Sequence, residues 1–311
     1  MSVVERALKK IQGAAAQTKR AETPQQPVAR AVRESARQAT AAGVAPDPAA
    51  TVVDGQPFLA AASGYVIDFD FKALAAAGML APGNERLADE YRTIKQPILK
   101  KAANSGVAER NRLVMVASAL PGEGKTFTSV NLSLSLAREK DWSVLLVDAD
   151  CRNPSLSRLL GMSEQPGLLD FLQMPDADLR AFVLPTNVDG LFVLPVGRSD
   201  GNAAEWLGSD RMKALCAELA SGAYGSLVAI FDSSPLLLTP EPGIVSQEVG
   251  QVIVVVQAEK TTRPAVADAI AKLDDKKAIG LVLNQASTAS DFASYGYGYR
   301  YGDYGRTDAA S

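Results

Sequence analysis

Nine residues, Ser118-Ala119-Leu120-Pro121-Gly122-Glu123-Gly124-Lys125-Thr126, have the types and spacing of a phosphate-binding loop. Glycine at 122 and 124 lets the backbone turn tightly, so that N–H groups converge on an anion with no Cβ in the way. Lys125 can reach the β- and γ-phosphates of a nucleotide, and the Thr126 hydroxyl suits Mg²⁺. Pro121, Gly122, Glu123, Gly124, Lys125, Thr126 and Phe127 are therefore the expected contacts for ATP. The pattern departs at Ala119, where a glycine is usual.

Two acidic elements follow apolar runs. Val147-Asp148-Ala149-Asp150-Cys151-Arg152 closes one, and Phe231-Asp232-Ser233-Ser234-Pro235 closes another. Carboxylates placed there can hold the water shell of Mg²⁺ or accept a proton from an attacking hydroxyl. Aspartate after a strand also caps helices, but Asp148, Asp150 and Arg152 downstream of a phosphate loop point to catalysis. Near the end of the chain, Tyr295, Tyr297, Tyr299, Tyr301 and Tyr304 alternate with glycines, so five of the eight tyrosines fall within ten residues. Such a stretch has too little to bury to fold alone. Beside a nucleotide site it reads as a string of phenol acceptors.

The elements that must position these groups alternate. Apolar runs at Leu113–Ala117, Val144–Val147, Leu191–Val196, Leu227–Phe231, Val252–Val256 and Ile279–Leu283 suit buried parallel strands. Helical patterns fall at Lys125–Lys140, Ala203–Ala220 and Pro264–Asp274. Repeated strand–helix units predict an α/β fold with a doubly wound, mostly parallel sheet and helices on both faces, as in P-loop NTPases. Ligands of such sheets bind at the carboxyl ends of the strands, where the loop falls. A further helix is expected over Glu85–Ala102, carrying Leu87, Tyr91, Ile94 and Leu99, with Pro97 interrupting or kinking it.

The 311 residues allow one α/β domain of about 200 residues plus extra segments. Residues 1–63 form a basic extension rich in Ala, Pro and Gln, expected to be disordered apart from a short amphipathic start; 64–106 an entry module with the Glu85–Ala102 helix; 107–286 the nucleotide domain; and 287–311 the flexible acceptor tail. The net charge of −3 argues against nucleic acid as a partner, although the first forty residues carry +5 and the rest −8. The complete absence of histidine excludes His-activated nucleophiles and His metal sites. Two cysteines, 151 and 216, lack metal-site spacing, and with no secretory signal a reducing cytoplasm is the default. No apolar run approaches the ~20 residues that span a bilayer.

The phosphate loop, the acidic second motif and the tyrosine cluster together resemble a bacterial tyrosine kinase of the polysaccharide co-polymerase type. The likeness is greatest to the autokinases that accompany exopolysaccharide and exosortase systems, and it covers about Leu87 to Tyr304. It implies that Asp148 takes the tyrosine proton, that Asp150 and Asp232 order Mg²⁺, and that Asn284 reads the adenine. It further implies tail phosphorylation in trans between subunits, control of capsule or exopolysaccharide synthesis or export, and a membrane-bound co-polymerase as activator. The expected location is cytoplasmic, peripheral on the inner face of the membrane.

Three departures stand out. Ser234-Pro235 replaces a Pro-Pro pair, and Gln257–Thr261 lacks a familiar arginine. Asp89, Arg92 and Lys95 occupy the spacing of the family's Glu, Arg, Arg helix for ring assembly, and lysine cannot reproduce an arginine's bidentate contact. The alternatives are a switch ATPase of the partitioning or cell-division positioning class, without kinase activity, and a nucleotide-binding scaffold. The first usually carries an extra lysine before the loop's glycines, where this chain has Leu120-Pro121. Intact Lys125, Thr126, Asp148 and Asp150 weigh against the second.

Overall fold

The computed structural model describes residues 66–76, 78–80, 84–103, 109–199, 201–274 and 277–286. The basic extension and the whole tyrosine cluster lie outside them. In chain order the elements are α1 (Phe71–Ala76), α2 (Glu85–Ala103), β1 (Leu113–Ser118), α3 (Lys125–Leu136), β2 (Ser143–Asp148), α4 (Ser155–Leu159), α5 (Leu168–Gln173), β3 (Leu184–Pro185) and β4 (Leu191–Leu194). They continue with α6 (Ala203–Leu207), α7 (Asp210–Ala220), β5 (Leu227–Asp232), α8 (Glu241–Glu248), β6 (Gln251–Gln257), α9 (Arg263–Ile270) and β7 (Ala278–Asn284).

The seven strands form one sheet in the order β3-β4-β2-β5-β1-β6-β7. Every pairing is parallel except that of β3 with β4. Side chains alternate across each strand, so β1 sends Leu113, Met115 and Ala117 into one core and Val114 and Val116 into the other. The first core is roofed by α5 to α9, through residues such as Leu168, Leu207, Leu215, Val245 and Ala269. The second is roofed by α1 to α4, through Leu74, Ile98, Leu132 and Leu156. Helices on both faces make the sheet doubly wound, as the strand–helix alternation predicts. They also explain why β1, β2 and β5, buried at every position, read as unbroken apolar runs.

Several elements differ from expectation. The helix expected over Ala203–Ala220 is two, because Gly208 ends α6 and the Ser209 side chain caps α7, accepting from the Met212 N–H at 3.3 Å. The helix expected to run to Lys140 stops at Leu136, and Pro195 follows a β4 that ends at Leu194. Pro97 does not interrupt α2, which runs unbroken past it. Pro97 is solvent-exposed, where water can serve the carbonyl its ring leaves free, while Tyr91, Ile98 and Ala102 anchor the opposite side in the second core. The short antiparallel β3 has no counterpart in the apolar runs.

Candidate functional site

The phosphate loop joins the carboxyl end of β1 to α3. Gly122 and Gly124 sit at φ of 81° and 96°, in the left-handed region that glycine alone enters without strain. Gly124 is constrained twice, since a Cβ there would lie 2.0 Å from Asn284 Nδ2. Ala119 is fully buried and is not among the positive-φ residues, so its methyl group costs no backbone strain. That accounts for the missing glycine. No side chain caps the first turn of α3. Its positive end and unpaired amides are therefore available to an anion.

Side chains from two other strand ends brace the loop. From the end of β7, Asn284 Nδ2 donates to the Glu123 carbonyl at 2.8 Å, and Gln285 Nε2 donates to that of Gly122 at 3.2 Å. Asn284, expected against the adenine, thus also contacts the phosphate loop through its side-chain amide. Glu123 is 1% exposed; its carboxylate accepts from the Leu120 N–H at 2.6 Å and from the Thr261 hydroxyl after β6. Its side chain is thus occupied within the protein. Phe127 likewise packs its ring against the second core, leaving its amide for phosphate.

Because β5 lies between β1 and β2, the register pairs Asp232 with both Val116 and Asp148. Sheet topology thereby brings the second and third motifs together beside the loop. Asp232 accepts from the Thr126 hydroxyl at 2.7 Å and the Ser129 hydroxyl at 3.0 Å. Burial raises its carboxyl to about 6, the hydrogen bonds and the Lys125 charge notwithstanding. Asp148 accepts from the Ser157 N–H at 2.8 Å and the Asp150 N–H at 3.2 Å. Burial, and then the Asp232 charge, push it up to about 7. Asp150 accepts from the Ser234 hydroxyl at 2.8 Å and the Asn153 N–H at 3.0 Å. The Arg152 Nε donates to Glu241 Oε1 at 2.8 Å.

Ser129, Ser157, Ser234 and Glu241 are among the partners that escaped sequence reasoning. Ser129 lies one helical turn after Thr126, and that spacing was a readable signal. Ser234 replaces the usual proline, a second signal. Ser157 and Glu241 are nine and 89 residues from the groups they touch, and nothing local marks them.

The proposed assembly trio divides. Asp89 and Arg92 are exposed and pair with each other. Lys95 is 5% exposed, with its Nζ 2.8 Å from the Ser135 carbonyl and 2.7 Å from Glu139 Oε1. It struts α2 onto the end of α3. The reason is phase: 91, 95, 98 and 102 recur at helical spacing, so Lys95 shares the inward stripe of Tyr91, Ile98 and Ala102.

The site's oxygen donors are those a hard cation prefers. The Thr126 hydroxyl, Asp150 and Asp232 fit Mg²⁺. Among the described residues no three His, Cys, Asp or Glu side chains form a closed metal cage; Mg²⁺ in nucleotide sites ordinarily keeps several waters. Both cysteines are buried free thiols. No helix of the described residues is long and apolar enough to cross a membrane.

The ParA family, described as "NUBPL iron-transfer P-loop NTPase", matches residues 109–284. Tyrosine-protein kinase YwqD of Bacillus subtilis (strain 168) is 32% identical over 212 residues, covering 68% of this chain and 85% of that protein. Tyrosine-protein kinase ptk of Acinetobacter johnsonii is 32% identical over 183 residues, covering 58% of this chain but only 24% of that longer protein. Among solved structures, the kinase domain of Escherichia coli tyrosine kinase ETK has a TM-score of 0.57 at 26% identity, covering 76% of this chain and 88% of that one.

Proposed function

Since the chain belongs to the bacterial tyrosine kinases, a branch of the ParA-type P-loop NTPases, we propose that it transfers phosphate from ATP to its own C-terminal tyrosines, in trans between subunits. The observation that carries this reading is the meeting of Lys125, Thr126, Asp148, Asp150 and Asp232 at the carboxyl ends of β1, β2 and β5. The amides from Gly122 to Phe127 bind the nucleotide's phosphates, and Lys125 neutralises charge between them. Thr126, Asp150 and Asp232 hold Mg²⁺, which when bound neutralises charge on the phosphates. Asp148, whose carboxyl titrates at about 7, accepts the proton of an incoming tyrosine hydroxyl. A base with a pKa near the working pH is the efficient one. Phosphoryl transfer asks mainly for such positioning and charge neutralisation.

The acceptors are Tyr295, Tyr297, Tyr299, Tyr301 and Tyr304, and the exposed Asp89–Arg92 face of α2 is the proposed contact for a ring. The regulated process is capsule or exopolysaccharide synthesis or export. The activating partner is a membrane-bound co-polymerase, toward which the basic extension brings the chain at the inner membrane face. Several relatives are named tyrosine-protein kinases, which supports the reaction class.

Intact-mass and peptide mapping after incubation with Mg-ATP tests the proposal, with Lys125→Met and a truncation after Ser294 as controls. Phosphate confined to Tyr295–Tyr304 and absent from both controls is the expected result. ATP turnover with no phosphate on protein, alone or with a membrane partner, would assign the chain to the switch ATPases instead.

A further inference from the structure

Two contacts stitch the loop after β2 to the loop after β5. The Ser234 hydroxyl donates to Asp150 at 2.8 Å, and the Arg152 Nε donates to Glu241 Oε1 at 2.8 Å. The second is lopsided. The Glu241 side chain is 3% exposed, whereas that of Arg152 is 62% exposed. A surface arginine normally spends its conformational freedom in water. Here a buried carboxylate at the start of α8, its second oxygen without a hydrogen-bond partner, takes the guanidinium by its inner nitrogen only. A grip at Nε leaves both terminal nitrogens, the parallel pair that suits phosphate oxygens, facing outward. The arginine so held lies two residues from Asp150 and four from Asp148 in the segment that closes β2.

We infer that Glu241 is a positioning residue for phosphoryl transfer, holding Arg152 so that its two terminal nitrogens meet the phosphoryl group as it leaves the nucleotide. Glu241 touches neither nucleotide nor acceptor and acts only through Arg152. Its burial is what gives the contact its value, because a buried anion presents the cation already aimed and little ordering remains at the moment of reaction.

The inference rests on the chain being a phosphotransferase but not on which tyrosine accepts. Conversion of ATP to ADP by the full-length chain at saturating Mg-ATP therefore reads the step, whatever takes the phosphate. Tail phosphorylation is followed separately by mass. Failure of the tail to be labelled while ATP turns over would sink the autokinase reading alone. Glu241→Gln is expected to lower kcat roughly 10-fold or more, short of the 10²–10³ typical of removing a stabilising donor outright. The KM for ATP should change less than about threefold, since binding before transfer does not use the contact. Glu241→Asp should recover part of the rate. In an Arg152→Ala background, Glu241→Gln should add no further loss.

Melting temperatures of all variants separate this from simple destabilisation. Three results would each overturn it: an unchanged kcat in Glu241→Gln, losses that multiply in the double variant, or a kcat loss that follows melting temperature across Glu241→Gln and Glu241→Asp.

Discussion

Asp232 receives the Thr126 and Ser129 hydroxyls in a corner of the sheet that water does not reach, with Asp148 in register beside it. Burial is the main reason its carboxyl is held at about 6 rather than at its ordinary 3.8. An acid with a raised folded pKa binds its proton more tightly in the native state. Its stabilising contribution is therefore full below pH 3.8 and is lost as pH rises through about 6. Asparagine at 232 can accept from Thr126 and donate to Ser129, keeping the contacts without the charge. Nucleotide-free Asp232→Asn should melt higher than the parent protein at pH 8, and the gap should close toward pH 4. Melting curves across that range decide it, and a variant that melts lower throughout would refute the assignment. Gly124 shows that a residue can be legible for one reason and constrained by another. Its place in the phosphate motif was readable, but its second constraint, the Asn284 amide 2.0 Å from where a Cβ would stand, comes from a strand 160 residues away.

At the level of elements, α2 joins the nucleotide domain through Lys95, whose ammonium meets the Ser135 carbonyl and Glu139 at the end of the phosphate-loop helix. A buried carbonyl left without its donor costs about 1–3 kcal/mol, so Lys95→Met should lower stability by that order. Its sedimentation should be unchanged if the strut is purely internal. A variant that stays as stable but changes oligomeric size would restore Lys95 to the assembly face. The three-residue spacing Asp89, Arg92, Lys95 drew all three into one contact in the sequence reading. Each step of three leaves a helix about 60° short of a full turn, so over two steps Lys95 has rotated off the face of Asp89. Phase decides burial, and the apolar neighbours at 91, 98 and 102 marked that phase. Pro97 fails to interrupt the helix for a related reason. Sequence shows that a proline is present, but the fold determines whether it faces solvent.

For the molecule as a whole, charge is the proposed switch. Five phosphates on the tail would add roughly −8 to −10 charges to a chain whose net charge is −3. Acidic tails gathered around one ring repel each other, the more so at low salt. Fully phosphorylated protein should therefore sediment as smaller species than unphosphorylated protein, with the difference shrinking as ionic strength rises. Identical sedimentation of the two forms would remove the charge switch while leaving the kinase reading intact.

The amino-acid sequence by itself determined the strand–helix alternation, the phosphate loop and the acids that end β2 and β5. These are local properties: runs of apolar residues, glycines where the backbone must turn, charges at the ends of strands. Only the tertiary structure decided that β5 slots between β1 and β2, that Asp232 therefore stands level with Asp148 and meets the Thr126 hydroxyl, and that Glu241 reaches Arg152 across 89 residues. Strand order in a parallel sheet depends on which faces of distant segments pack together. No window of sequence contains that information, and the chemistry of the site depends on it.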